Sequence, residues 1–354
     1  MTDPSLTAAP FDDVYDGAHV VVTGATGQVG TFVCAHLSDR YDVRISAIDQ
    51  KPWDGNAAAA NLHLAERVPL LQADLADSDV LDPVVETADV ILHMAGATVG
   101  IGVSARSGFT LLRANAELDL AVLGSVRRRS NTDPLSLVAI SSSCVYPTSA
   151  PQPIREPAAS MECEVGNEGY GFAKLLLERS LAELHRETEG FVPAVFRLAN
   201  AYGESYRFKG EASSHLIPAL VWKGAKKDPL SVWGDGSQQR DFVHAGDIAE
   251  VVLAFGAAAK RGGEPVGPVN FASGTPRSVR DIAEHVVARF GLPGIEYDTS
   301  KPSGNKAKTL DLKGFRELCG DWQPTVDFTA GLDRMIDVWL PYVQAREGAG
   351  DAGA

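Results

Sequence analysis

The chain has 354 residues, 45% hydrophobic and 22% charged, with 46 acidic against 32 basic side chains and a formal net charge of −14. That balance describes a soluble globule large enough to bury its own core. It disfavours a protein that coats nucleic acid, which would be basic. Cys34, Cys144, Cys163 and Cys319 form no CxxC pair and no Cys/His cluster, so neither a disulfide framework nor a metal site is expected. No apolar run approaches the roughly 20 residues that span a bilayer. The opening MTDPSLTAAPFDD lacks the basic and apolar regions of a secretory leader, so the expected location is the cytoplasm.

In chain order, residues 1–16 read as a loose, polar, Pro-containing arm. His19–Thr23, Val43–Ile48, Val68–Leu71, Val90–Met94, Leu135–Ile140 and Val192–Arg197 read as buried strands. Thr31–Asp39, Phe109–Arg129 and Gly171–Glu189 read as helices between them. This alternation predicts an α/β fold with a parallel sheet covered on both faces. Past about Tyr202 the rhythm becomes irregular, and helical pattern returns at Asp247–Ala259, Ser278–Phe290 and Thr329–Tyr342. We expect a nucleotide-binding domain over 17–200 and a smaller mixed α/β substrate lobe over 201–345. Some of the lobe's segments should return to the first domain. Residues 346–354 read as a frayed tail.

The strand VVVT leads into Gly24-Ala25-Thr26-Gly27-Gln28-Val29-Gly30 and then a helix. Glycines at this spacing let the backbone turn tightly and approach a pyrophosphate seated on the helix N-terminus. Alone, the stretch equally describes a plain strand-to-helix turn. Two carboxylates add to it. Asp49 closes the second strand, where it can hold the adenosine ribose hydroxyls. Asp74-Leu75 follows the third strand and can meet the adenine edge. Together they predict a Rossmann-type, doubly wound dinucleotide site. Asp49 would repel a ribose 2′-phosphate, which argues for NAD over NADP, although Lys51 lies close by.

Tyr170-Gly171-Phe172-Ala173-Lys174 has YxxxK spacing, which puts both side chains on one helix face. There Lys174 can lower the phenol pKa of Tyr170 and hold the nicotinamide ribose. The phenol can then exchange a proton with a hydroxyl while its carbon exchanges hydride. A serine at the end of the strand running into Ser141-Ser142-Ser143-Cys144-Val145-Tyr146-Pro147 can hydrogen-bond the reacting oxygen. Asn115, inside the preceding long helix, is either a cofactor-side amide or a cap or surface group.

These segments resemble the extended short-chain dehydrogenase/reductases that act on nucleotide sugars. The carriers are TGATGQVG, Asp49, Asp74-Leu75, HMAGA (93–97), SSSCVYP, YGFAK, RLANAYG (197–203) and WGDGSQQRDFVH (233–244), in the family's order over nearly the whole chain. The resemblance implies Ser142, Tyr170 and Lys174 as the hydride-transfer triad. It implies Gly24, Thr26, Gly27, Gln28, Val29, Gly30, Asp49, Asp74, Leu75, Met94, Ala95, Gly96 and Asn115 on the cofactor. It also implies a homodimer through Phe109–Arg129 and Gly171–Glu189.

Residues separate the branches of the family. The 4,6-dehydratases resemble one another in an Asp-Glu pair after the triad Ser/Thr, and here Ser143-Cys144 stands in that place. SSSCVYP looks like the matching segment of GDP-mannose 3,5-epimerases and GDP-fucose synthases, whose cysteine is an acid/base beside a keto group. Lys209 falls where those families carry their second acid/base; otherwise it is an exposed cation beside Arg207. Cys144, taken without that context, would be a small apolar filler. Substrate-side expectations are Gly100, Gly102 and Val103 of the glycine-rich loop, Ser143, Asn200, Lys209, Arg240, Lys306 and Lys308. Among these Arg240 is assigned to the diphosphate, and the family's usual arginine appears as Ala307. SSHLIPAL (213–220) and KPSGNKAKTLD (301–311) look more like the fucose synthase, whereas Asp49 and Lys209 look more like the 3,5-epimerase. The expected activity is epimerisation at C3, C5 or both through transient oxidation at C4, on a nucleotide sugar carrying GDP. An epimerase-reductase, a UDP-sugar 4-epimerase and a non-catalytic NAD sensor are the alternatives.

Overall fold

The computed structural model describes residues 11–205, 214–300 and 306–348. Seven strands form one sheet: β1 (His19–Thr23), β2 (Arg44–Asp49), β3 (Leu70–Gln72), β4 (Val90–His93), β5 (Leu135–Ser142), β6 (Phe191–Leu198) and β7 (Val266–Phe271). Their order is β7-β6-β5-β4-β1-β2-β3, and every neighbouring pair is parallel. The chain thus starts at the centre, winds outward to β3, then returns past β1 to build the other half. This is the doubly wound Rossmann arrangement. The third strand starts at Leu70 and not at Val68, because Val68 closes a short helix, its N–H donating to Leu64.

Side chains alternate across the sheet with period two. Val20, Val22, Leu92, Val138 and Phe196 face the layer of α1 (Gly30–Arg40) and a long helix at Ala245–Gly262. Val21, Ile91, Leu137, Ala139 and Val195 face the layer of α2 (Ser78–Glu86), α3 (Gly108–Arg128) and α4 (Glu168–Glu187). With both faces covered, the strands read as unbroken apolar runs.

Two boundaries are corrected. The arm is folded from Phe11 onward: Phe11, Val14 and Tyr15 are buried, and the Tyr15 hydroxyl donates to Leu253 O at 2.7 Å. Each aromatic side chain contributes about 1.5–3 kcal/mol of burial, enough to hold so short a segment down. At the other end a helix runs from Phe328 to Gly348, past the expected limit at 345.

The lobe has its own core. α5 (Leu216–Lys226), α6 (the helix Ala245–Gly262), α7 (Val279–Phe290) and α8 (Phe328–Gly348) follow in sequence. Of these, α6 packs on the main sheet, and β7 lies at that sheet's edge. α5, α7 and α8 close around Leu230–Trp233, which pairs in parallel with Ile295–Asp298. A small three-stranded sheet puts Gln239–Arg240 between Arg277–Ser278 and Ala307–Lys308. No described helix is long and apolar enough to cross a membrane.

Candidate active site

The turn after β1 shows why glycine stands there. Gly24 has φ +68, and a Cβ on it would fall 2.5 Å from the Ala95 backbone; one on Gly30 would fall 2.2 Å from Gly24 O. The turn is thereby pressed against the HMAGA loop, and α1 starts immediately beneath it. Asp49, at the end of β2, accepts from the backbone N–H of Thr26 at 3.1 Å and of Lys51 at 3.0 Å. Nε2 of Gln28 is buried without a hydrogen-bond partner. A donor orphaned beside a glycine turn fits a phosphate oxygen, and Asp49 fits a ribose diol, so these residues suit a dinucleotide. Leu75 is buried in the core layer with Val21 and Ile48, whereas Asp74 is exposed and accepts from Ala76 N–H.

Met94, Ala95 and Gly96 leave the end of β4 toward the same cleft. Asn115 is neither cap nor surface: it is fully buried, accepts from Ala97 N–H at 3.0 Å, and donates to Ala97 O and Leu111 O. It therefore ties α3 to the loop after β4. A Cβ on Gly96 would lie 3.6 Å from Asn115 Oδ1 and 3.9 Å from Lys174 Nζ, so these three meet at one point.

Ser142 ends β5, and its Oγ accepts from Cys144 N–H at 3.1 Å. Tyr170 and Lys174 share one face of α4, with Nζ 6.0 Å from the Tyr170 ring centroid. The expected lowering of the phenol by Lys174 is corrected. Burial pushes Tyr170 up, the charges of Cys144 and Asp119 push the same way, and only a hydrogen bond with Ser142 opposes them. The Lys174 ammonium is instead paired with Asp119, 3.6 Å away.

Cys144 faces a cation, Lys308. Lys308 Nζ lies 3.7 Å from its Sγ and 2.9 Å from Glu164 Oε2. Glu164 also accepts from Asn167 Nδ2 at 2.8 Å, and its backbone N–H donates to Cys144 O. Burial pushes the Cys144 thiol up to about 11; Lys308 pulls it down and Glu164 pushes it up. Burial also raises Glu164, but Lys308, Asn167 and Cys144 together outweigh that and hold its carboxyl below the ordinary range. Lys308, expected on the substrate side, sits buried at the thiol. Lys306 remains exposed. Lys209 lies outside the described residues.

Arg240 is the register partner of Lys308 in the small sheet. It is half-buried, and Glu164 and Cys144 act on it electrostatically. Gly100 caps the short helix Ile101–Ser104 that carries Gly102 and Val103, and a Cβ on Gly102 would meet the Trp233 ring at 3.3 Å. Asn200 donates to Asp241 O at 2.8 Å, pinning the chain as it leaves the main sheet. Ser143, expected on the substrate, is fully buried with its hydroxyl toward Ala199 O, because the turn after β5 rotates it inward.

Three site residues escaped sequence reasoning. Glu164 sits in a loop where a lone carboxylate carries no signal. Trp233 lay unremarked inside a quoted segment. Asp119 did carry a signal: it follows Asn115 by one helical turn, on the stripe of Leu111, Val122 and Val126 that α3 buries.

Comparisons agree with this architecture. Residues 20–270 match the family described as the NAD dependent epimerase/dehydratase family. The chain is 33% identical over 266 residues to a protein of Oryza sativa subsp. japonica named "Probable GDP-L-fucose synthase 1", covering 71% of this chain and 75% of that one. It is 27% identical to the GDP-L-fucose synthase of Azorhizobium caulinodans, over 89% of this chain and 94% of the relative. The UDP-glucuronic acid 4-epimerase of Bacillus cereus, solved with UDP-glucuronic acid and NAD, shares the fold at TM-score 0.72 and 21% identity, over 92% of this chain and 99% of that one. With its glycine turn and Asp49, the chain belongs to the NAD dependent epimerase/dehydratase family of extended short-chain dehydrogenase/reductases, and its cofactor is NAD.

Proposed function

We propose that this protein is a nucleotide-sugar epimerase that oxidises C4 transiently and inverts an adjacent carbon, C3, C5 or both, on a GDP-sugar. The observation that carries this reading is the half-buried Cys144 thiol held beside Ser142 by the buried pair Lys308 and Glu164. Moving hydride at C4 alone needs Ser142, Tyr170 and Lys174. It has no use for a thiol flanked by a buried ion pair, which is costly to hold unless it does chemistry.

Bound NAD⁺ supplies the hydride acceptor for C4. Ser142 Oγ holds the reacting oxygen, and Tyr170 Oη takes the hydroxyl proton as a phenolate, whose negative charge the positive charge of bound NAD⁺ would favour against the burial that raises it. The C4 ketone acidifies the protons on C3 and C5. Cys144 Sγ exchanges one of these from one face, with Lys308 and Glu164 setting its charge. Lys209 is assigned the opposite face on the strength of its sequence position. Arg240 is assigned the diphosphate, where a planar guanidinium fork suits paired oxygens.

A second reading, an epimerase-reductase that consumes NADPH, is favoured by relatives named GDP-L-fucose synthase. Asp49 speaks against it, because a carboxylate there repels a 2′-phosphate. Incubating the protein with a panel of GDP- and UDP-sugars in D₂O separates the readings. Deuterium at C3 or C5 without NADPH, lost in Tyr170→Phe, supports the first. Turnover only with NADPH and a 4-keto-6-deoxy sugar supports the second. Inversion at C4 with no deuterium uptake reduces the protein to a 4-epimerase.

We also assign it to the cytoplasm and to a homodimer through α3 and α4. Phe109 on α3 is 77% exposed and Leu120 is exposed on the same helix, which supports that assignment; light scattering tests it.

A further inference from the structure

We propose that Asp119 is a positioning residue for Lys174, the buried counter-ion that keeps it an ammonium and holds its Nζ at the cofactor side of the cleft. This rests on the reading above that Lys174 serves Tyr170 and the nicotinamide ribose.

Lys174 is 3% exposed and Asp119 is 2% exposed. A buried ammonium without a partner gives up its proton. Asp119 Oδ2 is the carboxylate oxygen 3.6 Å from Nζ, and it has no hydrogen-bond partner besides. Asp119 Oδ1 is 2.9 Å from His93 Nε2, and His93 Nδ1 is 2.7 Å from Thr23 Oγ1. The run Thr23–His93–Asp119–Lys174 therefore crosses from β1 through β4 and α3 to α4. Thr23 is fully buried, so the run reaches no solvent and cannot carry protons out of the site. What it can do is fix a charge.

The other titratable group facing this pair is Tyr170 on α4, whose ring centroid lies 6.0 Å from Lys174 Nζ and on which the Asp119 charge acts. Farther along α4, Glu178 is closed on Arg197 of β6 and leaves no spare charge. Burial pushes the Asp119 carboxyl up, but Lys174 and His93 outweigh it and hold it below the ordinary range, so it stays ionised. An apolar residue would serve the α3 stripe at lower cost, since a buried carboxylate must be paired to be tolerated.

The test is denaturant unfolding of the full chain as wild type, Asp119→Asn, Lys174→Met and the double variant, at neutral pH and near pH 9.5. In Asp119→Asn the buried Lys174 loses its proton more readily than in the unfolded chain. Unfolding then takes up protons, and stability rises with pH. The penalty of the substitution, read as a ratio of unfolding constants, should shrink at least about tenfold across that range. It should not change with pH in the Lys174→Met background. A penalty equal at both pH values, or one that shrinks equally without Lys174, overturns the proposal. Lys174→Met alone gives the mirror measurement should Asp119→Asn not fold. A stranded Asp119 binds a proton more tightly than in the unfolded chain, so the Lys174→Met penalty should shrink as pH falls from 7 to 5. An unchanged penalty there overturns the proposal too. NAD⁺ titration of the same variants tests the underlying reading separately. Coupling without any change in NAD⁺ affinity upholds the counter-ion and removes Lys174 from the cofactor site.

Discussion

Two neighbours of opposite charge work on the Cys144 thiol in opposite directions once burial has pushed it up to about 11. The alkylation rate of Cys144 by iodoacetamide, followed by peptide mass spectrometry, should therefore rise with pH toward that value. Lys308→Met should move the midpoint up, and Glu164→Gln should move it down, each by on the order of one pH unit. Each variant also strands its former partner, at about 3–5 kcal/mol of stability. A midpoint indifferent to both substitutions would detach the ion pair from the thiol. Cys144 was legible as a candidate because it sits at a strand end beside Ser142. Its neighbours were not, because Glu164 and Lys308 are far apart in sequence and each looks like an ordinary surface charge.

β5, β6 and α4 are held by one buried strut. Arg197 donates to both Glu178 oxygens, at 2.8 and 2.7 Å, and to Tyr146 Oη at 3.0 Å; Ser141 Oγ donates to Glu178 Oε1 at 2.5 Å. Glu178 stands one helical turn beyond Lys174, and Ser141 immediately precedes Ser142. The strut therefore sets the distance between the strand end and the helix that carry the triad. Glu178→Ala should lower unfolding free energy by about 3–5 kcal/mol, because Arg197 is left buried and unpaired. Replacing both, as Glu178→Leu with Arg197→Met, should cost less than the single change. Urea unfolding of the three variants measures this, and a double variant worse than Glu178→Ala would show that the pair itself is stabilising. At this scale the elements were largely visible in the chain, since their apolar periods survive in any environment. Their ends were less so: Val68 turns on a hydrogen bond to Leu64, and Tyr15 on a carbonyl of a helix more than two hundred residues away.

The lobe is latched to the nucleotide-binding half through the segment after β6. Ser205 Oγ donates to Gln28 O at 2.6 Å, inside the glycine turn. Glu204 lies 2.7 Å from His244 Nε2, and its backbone carbonyl accepts from Trp339 Nε1 on α8. His244 Nδ1 accepts from Gly246 N–H, so Nε2 carries the ring proton and donates to Glu204. Buried carboxylates thus stand at three junctions: Asp119 between helices, Glu164 in the cleft and Glu204 at the latch. Burial raises each, yet their partners hold all three below the ordinary range. A lowered carboxyl contributes stability that is fully present above its unfolded value, about 4, and is lost as pH falls through the folded value. Asp241 is shifted upward by burial and works the other way. The sum predicts unfolding free energy nearly flat from pH 6 to 8 and falling steeply below about pH 4. Glu204→Gln should flatten part of that fall, as measured by urea titration at stepped pH; an unchanged slope would clear Glu204 of the effect.

The alternation of strands and helices, the two-sided covering of the sheet, the glycine turn with Asp49, and Ser142, Tyr170 and Lys174 as candidates were all legible in the sequence alone. They depend on periodicity and short spacing, which local chemistry enforces wherever the chain goes. What the tertiary structure decided is the company each group keeps. It set Lys308 at the thiol, turned Ser143 inward, gave Lys174 to Asp119, and brought β7 back to the edge of the main sheet. Those outcomes depend on contacts between segments remote in sequence, and charge and burial act through space with no regard for chain distance.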